Sequence, residues 1–331
     1  MQTRRTFLRA LTIAAAAAGA RPGRADAEPP PETPRLRLFK FPGICLAPQY
    51  VAEDLLRAEG FTDVQYLEFP EGAAGVYERV GTGAVDFTQW YGVPFIEEID
   101  KGRPVVVLAG VHVGCTELFG TERVRAIRDL KGKTVAVAYG SPAASILAAM
   151  LAYVGLDHRK DVHFVNHSAA ASVQLLADGK IDAVLAVPPI AQELRAKKIG
   201  HTVVNTAVDR PWSQYFCCMF VGHMDFVRKY PVATKRALRA ILKADQICAL
   251  EPERVARAIV DRGFTKSYDY ALQTMRDVPY GRWRQYDPED MVRFYALRLR
   301  EAGLIKATPQ KILADGTDWR LLNELKKELK A

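Results

Sequence analysis

The 331-residue chain carries 46 Lys and Arg against 38 Asp and Glu, a formal charge of +8, and 49% of its residues are hydrophobic, enough to fill two lobes of ordinary domain size. Half of the excess charge belongs to Arg4, Arg5, Arg9, Arg21 and Arg24 set against Asp26, and the other Lys and Arg are interspersed with Asp and Glu on helical stretches such as Arg228 to Lys243, a solvated-face pattern that argues against nucleic-acid binding. Five cysteines, Cys45, Cys115, Cys217, Cys218 and Cys248, form an odd set without C-x-x-C spacing, which implies neither a full disulfide framework nor a zinc site.

Residues 1–27 read as an export signal. Thr3-Arg4-Arg5-Thr6-Phe7-Leu8-Arg9 is a basic end, Leu11 to Ala20 a short apolar run, and Ala25-Asp26-Ala27 a small-residue exit. Paired arginines followed by Phe-Leu match the twin-arginine type. The apolar run is shorter than the ~20 residues needed to span a bilayer, and no later segment reaches that length without charges. A soluble mature chain in the periplasm is expected, with no membrane span and, lacking a Cys directly after the signal, no lipid anchor.

From Arg35 short apolar runs alternate with helical patterns, the signature of βαβ units. Strands are expected at Leu36 to Phe41, Val64 to Phe69, Val85 to Gln89 and Pro104 to Gly110, with helices at Pro48 to Glu59, Gly72 to Val80 and Pro94 to Lys101. The scheme then repeats, with strands at Thr134 to Tyr139, Val162 to Asn166, Ala183 to Val187 and His201 to Asn205, and helices at Pro142 to Tyr153, Ala170 to Ala177 and Pro189 to Lys197. Gly81-Thr82-Gly83-Ala84-Val85-Asp86-Phe87 and Ala177-Asp178-Gly179-Lys180-Ile181-Asp182-Ala183 echo each other: a helix ends, a Gly supplies the left-handed turn, and an apolar-Asp-apolar strand begins. Beyond Trp212 the pattern is largely helical, at Met224 to Tyr230, Pro231 to Leu250, Pro252 to Asp261, Tyr268 to Met275, Pro288 to Ala302 and Trp319 to Leu329. Such a tail is expected to return to the first lobe, leaving two crossing segments near Gly110 to Thr121 and Asn205 to Gln214 as a hinge.

Gly83-Ala84-Val85-Asp86-Phe87-Thr88-Gln89-Trp90, Asp129-Leu130-Lys131-Gly132-Lys133-Thr134-Val135, Gly179-Lys180-Ile181-Asp182-Ala183 and Asp225-Phe226-Val227 through Pro231 occur in that order between about Leu36 and Leu304. In this the chain resembles the periplasmic solute-binding proteins of ABC importers, in the branch that handles nitrate, sulfonates, taurine and the pyrimidine precursors of thiamine. The resemblance implies an α/β, two-lobed periplasmic binding protein of type II, with two mostly parallel sheets joined by two crossovers. Residues 35–112 plus 212–331 would form one lobe and 113–211 the other. It also implies a monomer without cofactor or catalysis that closes on a small organic anion and delivers it to a permease with its ATPase. A sensor kinase as receptor, a pyrimidine as ligand, or an enzyme of the same fold that makes the thiamine pyrimidine are the alternatives; export speaks against the enzyme.

Ligands of open parallel sheets sit beyond the carboxyl ends of the strands, where helices begin. Tyr139 to Ser145, with Ser141 and Ala143 opening a helix, is a candidate anion cradle, although Ser141 also reads as a simple helix cap. Gln89, Trp90 and Tyr91 end the third strand, and at least one ring is expected in the cleft and the other in the core. Gly43 and Ile44 after the first strand, Pro188 after the seventh and His167 before the next helix occupy matching loops. Cys115 and Glu117 lie on the first crossover, with His112 and Thr116, and Trp212 lies near the second. Cys217-Cys218-Met219-Phe220 resembles a cysteine run associated with iron in the pyrimidine-forming enzymes. Met219 and Val221 stand where flanking cysteines would be, and no metal is expected there.

Overall fold

The computed structural model describes residues 28–137 and 141–329. The expected export signal over 1–27, and Tyr139 and Gly140 of the candidate anion loop, lie outside the described residues.

Ten strands form two five-stranded sheets. They are β1 (Arg35–Phe39), β2 (Asp63–Leu67), β3 (Phe87–Tyr91), β4 (Val105–Val113), β5 (Glu117–Gly120), β6 (Thr134–Val137), β7 (His163–Asn166), β8 (Ala183–Ala186), β9 (His201–Asn205) and β10 (Phe216–His223). The first sheet runs β2-β1-β3-β10-β4 and the second β7-β6-β8-β5-β9. In each, the first three strands are the parallel βαβ core expected from the sequence. The fourth strand pairs antiparallel with both of its neighbours, so the sheets are mixed.

That fourth strand comes from a crossing segment in each case. The chain leaves the first sheet at the end of β4 and enters the second as β5; it leaves β9 and returns as β10 between β3 and β4. Two strands, β5 and β10, were not expected from periodicity: β5 is four residues long and lies in the first crossing segment, and β10 directly follows the second.

The sequence echo has a structural counterpart at β3 and β8, which hold the same place in their sheets. Gly83 (φ 70°) and Gly179 (φ 66°) adopt the left-handed conformation that a side chain would strain. Asp86 and Asp182 then anchor the neighbouring parallel strand through its backbone: the amide of Arg37 donates to Asp86 Oδ2 at 2.7 Å, and that of Thr134 to Asp182 Oδ2 at 2.9 Å. The Arg37 and Arg123 guanidiniums balance the two carboxylates.

The helices follow the expected pattern within a few residues, from Val93–Asp100 and Ala143–Tyr153 to Pro231–Leu250 and Pro288–Glu301. One helix, Pro309–Gly316 capped by Thr308, was not expected. The tail does more than return to the first sheet. Phe294, on Pro288–Glu301, packs its ring on Tyr153 and Trp212, and Asp277 pairs with Arg195 of the helix Ile190–Lys197. From Pro31 onward the chain forms one compact unit. No helix among the described residues is long and apolar enough to cross a membrane.

Candidate functional site

Three helices begin at one small pocket beside the second sheet. Its walls are Ser141, Pro142 and Ala143 at the start of Ala143–Tyr153, Ala169 and Ser172 of the helix Ala169–Ala177, and Val184 to Val187 with Ile190 at the start of Ile190–Lys197. The pocket has a volume of about 60 Å³, too small for a drug-sized ligand, and apart from the Ser141 and Ser172 hydroxyls its side chains are apolar. Helix N-termini carry unpaired N–H groups and positive dipole ends, so this convergence favours negative charge. Ser141 Oγ accepts from the amide of Ala143 at 3.3 Å, and Ser168 Oγ from that of Ala171 at 3.2 Å. Both hydroxyls therefore also cap, the simpler role foreseen for Ser141. His167 and Pro188 adjoin the pocket in sequence without lining it. A wider pocket of about 420 Å³ lies beside the segment returning from β9, its wall carrying Arg210 together with Asp287 and Asp290.

The candidates on the first sheet divide differently. Trp90 is a core residue: its ring lies edge-on to Phe39 and Phe41, and its Nε1 donates to Tyr77 Oη at 3.0 Å. It is not available to stack on a ligand. Gln89 is also spent internally, its amide accepting from the Gln49 backbone at 3.1 Å and donating to the Cys45 carbonyl at 3.1 Å. Gly43 and Ile44 are buried in the turn that leads into the short helix Ala47–Val51. Trp212 is buried beside Tyr153 and Phe294.

Glu117 does not present a free carboxylate. Arg195 donates to it at 2.6 Å and also pairs with Asp277, while Thr202 Oγ1 donates at 3.2 Å. Burial pushes the Glu117 carboxyl above the usual range, with Arg195 opposing. An amino group on a ligand would have to displace this guanidinium, so the expected cation contact is not what the residue does here.

Tyr91, in contrast, reaches a cluster that the sequence did not reveal. Its hydroxyl lies 3.3 Å from Cys45 Sγ. Cys45, His112, Cys115 and Cys218 bring one sulfur or ring nitrogen each within 4.8 Å of one another, all four residues buried. Cys217 approaches Cys115 with 3.0 Å between sulfurs. Adjacent strand residues point to opposite faces, but register shifts at Phe216/Cys218 and Cys218/Met219 mark a bulge in β10, and a bulge re-aims side chains. That is how both neighbouring cysteines come to the same cluster. Spacing arguments missed the cluster because its members come from four segments: the turn after β1, β4, the first crossover and β10. An iron held by the run 217–220 itself does not fit, since the run supplies two thiols and Met219 packs in the core.

The cluster is electrostatically uneven. A hydrogen bond with Cys115 and burial push Cys45 up to about 12, and burial pushes Cys115 up to about 11. Burial holds the His112 imidazole below its usual range and therefore neutral. Its Nδ1 lies 3.2 Å from the Val113 carbonyl and its Nε2 3.1 Å from that of Cys45; a neutral ring carries one N–H and satisfies one of them.

The fold is similar to that of the alkanesulfonate-binding protein SsuA from Xanthomonas axonopodis pv. citri bound to MOPS, at 17% identity and a TM-score of 0.68 over 88% of this chain and 99% of that one. It is also similar to the periplasmic nitrate-binding protein NrtA from Synechocystis PCC 6803, at 15% identity and 0.71 over 91% and 90%. The desulfurization enzyme DSZB, at 16% identity and 0.60 over 89% and 99%, shares it as well. The chain thus has the periplasmic binding protein fold, and that fold serves binding and catalysis alike. No curated protein matches the sequence. A sequence model described as NMT1/THI5 like matches residues 47–255, more than half of the chain, and the protein belongs to that family.

Proposed function

We propose that the protein is the solute-binding component of an ABC-type importer, capturing a small oxyanion-bearing solute such as a sulfonate, taurine or nitrate in the periplasm and delivering it to a permease with its ATPase. The observation that carries this reading is the convergence of three helix N-termini on the pocket of Ser141, Ala169 and Ile190. Three positive dipole ends would favour an anionic head group without any Lys or Arg, although the amides of Ala143, Ala171, Ile190 and Ala191 are already hydrogen-bonded to Ser141, Ser168 and Val187. The two passages of the chain between the sheets, after β4 and after β9, support two lobes, 35–112 plus 212–331 and 113–211, linked by two crossing segments. Such a linkage permits hinge closure. The likeness to binding proteins titled for alkanesulfonate and nitrate agrees with an anionic ligand, and no catalytic role is proposed.

Titration calorimetry of wild type, Ser141→Ala and Ser141→Asp against alkanesulfonates, taurine and nitrate tests the site. Loss of one neutral hydrogen bond in Ser141→Ala costs about 0.5–1.5 kcal/mol. The carboxylate of Ser141→Asp competes for the same donors and repels the ligand, so its loss is larger. Equal and negligible effects of both substitutions on a measurable affinity would move the anion elsewhere.

A further inference from the structure

Cys45, His112, Cys115 and Cys218 have no role in the anion pocket, yet they are buried together with one donor atom each inside 4.8 Å. We propose that these four side chains form a closed tetrahedral site for a divalent zinc ion, bound through three thiolate sulfurs and one imidazole nitrogen. This inference does not rest on the transport role proposed above.

The donor set excludes the hard cations, which take oxygen ligands, and matches the three-sulfur, one-nitrogen composition of structural zinc sites. Bonds of about 2.3 Å to sulfur place tetrahedral sulfurs about 3.8 Å apart. The cluster's donor atoms are within about an ångström of that, and the backbone carbonyl facing the ligating ring nitrogen of His112 turns aside to admit the ion. All four residues are withdrawn from solvent, the most exposed being Cys115 at 7%, as a site without an open position requires.

Two further observations mark these residues as held for a purpose other than packing. His112 has carbonyl oxygens opposite both ring nitrogens, at 3.2 and 3.1 Å. As a neutral ring it leaves one lone pair facing another. With one nitrogen on a metal, the other N–H donates to a single carbonyl, the arrangement that orients metal-bound imidazoles. Cys115 has φ 88°, a left-handed conformation costly for any residue with a side chain. It turns the first crossover so that the Cys115 sulfur meets those of the first sheet and Cys217.

The charges balance tolerably. Three thiolates and one Zn²⁺ leave a single negative charge, and the Tyr91 hydroxyl 3.3 Å from Cys45 Sγ is placed to donate to it. The thiols are protonated in the empty cluster, so each ion bound releases the three protons of Cys45, Cys115 and Cys218 to the buffer. Cys217 stays outside the set, beside Cys115.

The test uses the mature chain, reduced and stripped with chelator, and Co²⁺ as an optical probe for the zinc site. One equivalent of Co²⁺ should bind with the visible bands of a tetrahedral ion and sulfur-to-metal charge transfer. Zn²⁺ should displace it, with about three protons released per ion near neutral pH. Cys45→Ser, Cys115→Ser, Cys218→Ser and His112→Gln should each abolish or shift the bands; Cys217→Ser and Cys248→Ser should keep them. If a variant fails to fold, alkylation of the native wild type decides, because bound zinc should protect Cys45, Cys115 and Cys218 as read by mass spectrometry. The assignment is overturned if wild type takes up no Co²⁺ or Zn²⁺, if zinc protects none of the three thiols, if Cys217→Ser alone removes the bands, or if the site takes Cu⁺ and refuses both divalent ions. Anion titrations have no bearing on any of these readouts.

Discussion

Trp90 shows what one residue's position decides. An aromatic at a strand end reads as a ligand contact, but its ring is closed in by Phe39 and Phe41 and its N–H is satisfied by Tyr77. Trp90→Ala should therefore cost about 3–5 kcal/mol of stability, the usual range for emptying a buried aromatic site, measured by urea unfolding. A variant of native stability with weakened ligand binding would return the ring to the cleft. Asp245 makes a second residue-scale prediction. It is fully buried on Pro231–Leu250, and its Oδ2 accepts from the Gly281 amide at 2.7 Å. Burial raises its carboxyl well above the usual range, with the Gly281 donor opposing. A carboxyl raised in the folded state stabilises it at acid pH, and that contribution is lost as pH climbs from the unfolded value near 4 through the folded one. Asp245→Asn should consequently raise the melting temperature at pH 7 and do so less near pH 4. A melting temperature lowered equally at both pH values would show that the carboxyl is not held protonated. Which rings and carboxyls fill the interior was not legible from the sequence, since Trp90 and Tyr91 are adjacent and only the fold separates their surroundings.

At the scale of elements, the sequence was most readable where periodicity and turn chemistry agree. The βαβ cores and the long helix Pro231–Leu250 follow directly from apolar spacing and a proline at the first turn. The paired turns at Gly83 and Gly179 went further, because they pointed to equivalent strands before any pairing was known. Asp86→Ala and Asp182→Ala should act alike, each leaving a strand amide without a partner and an arginine without its carboxylate. A loss of about 1–3 kcal/mol in urea unfolding is expected for each, larger for Asp86, whose side chain is 3% exposed against 13% for Asp182. No loss at either site would make the echo a coincidence of turns. The strands β5 and β10 escaped notice because β5 is four residues long and lies in the first crossing segment, while β10 directly follows the second. The bulge in β10 also lies below the resolution of any periodicity argument, and with it the gathering of the cysteines.

For the whole molecule, the topology puts the pocket of Ser141, Ala169 and Ile190 in the half of the structure built from the second sheet, with the sulfur-rich cluster where the first crossover leaves the first sheet. Tail contacts at Phe294, Tyr153 and Trp212, and the pairing of Arg195 with Asp277, hold helices of both sheets together. In a hinged binding protein these are the contacts that opening would break. Ligand energy enters as added stability of the native state, whatever the hinge does. The most direct measurement is thermal unfolding of the mature chain against a panel of alkanesulfonates, taurine, nitrate, carboxylates and a neutral aminopyrimidine. At 100 times its dissociation constant a bound member adds about 2.7 kcal/mol, so at least one anionic member should raise the melting temperature by several degrees while the neutral pyrimidine leaves it unchanged. Stabilisation by the pyrimidine alone, or by no member of the panel, would contradict capture of a small oxyanion.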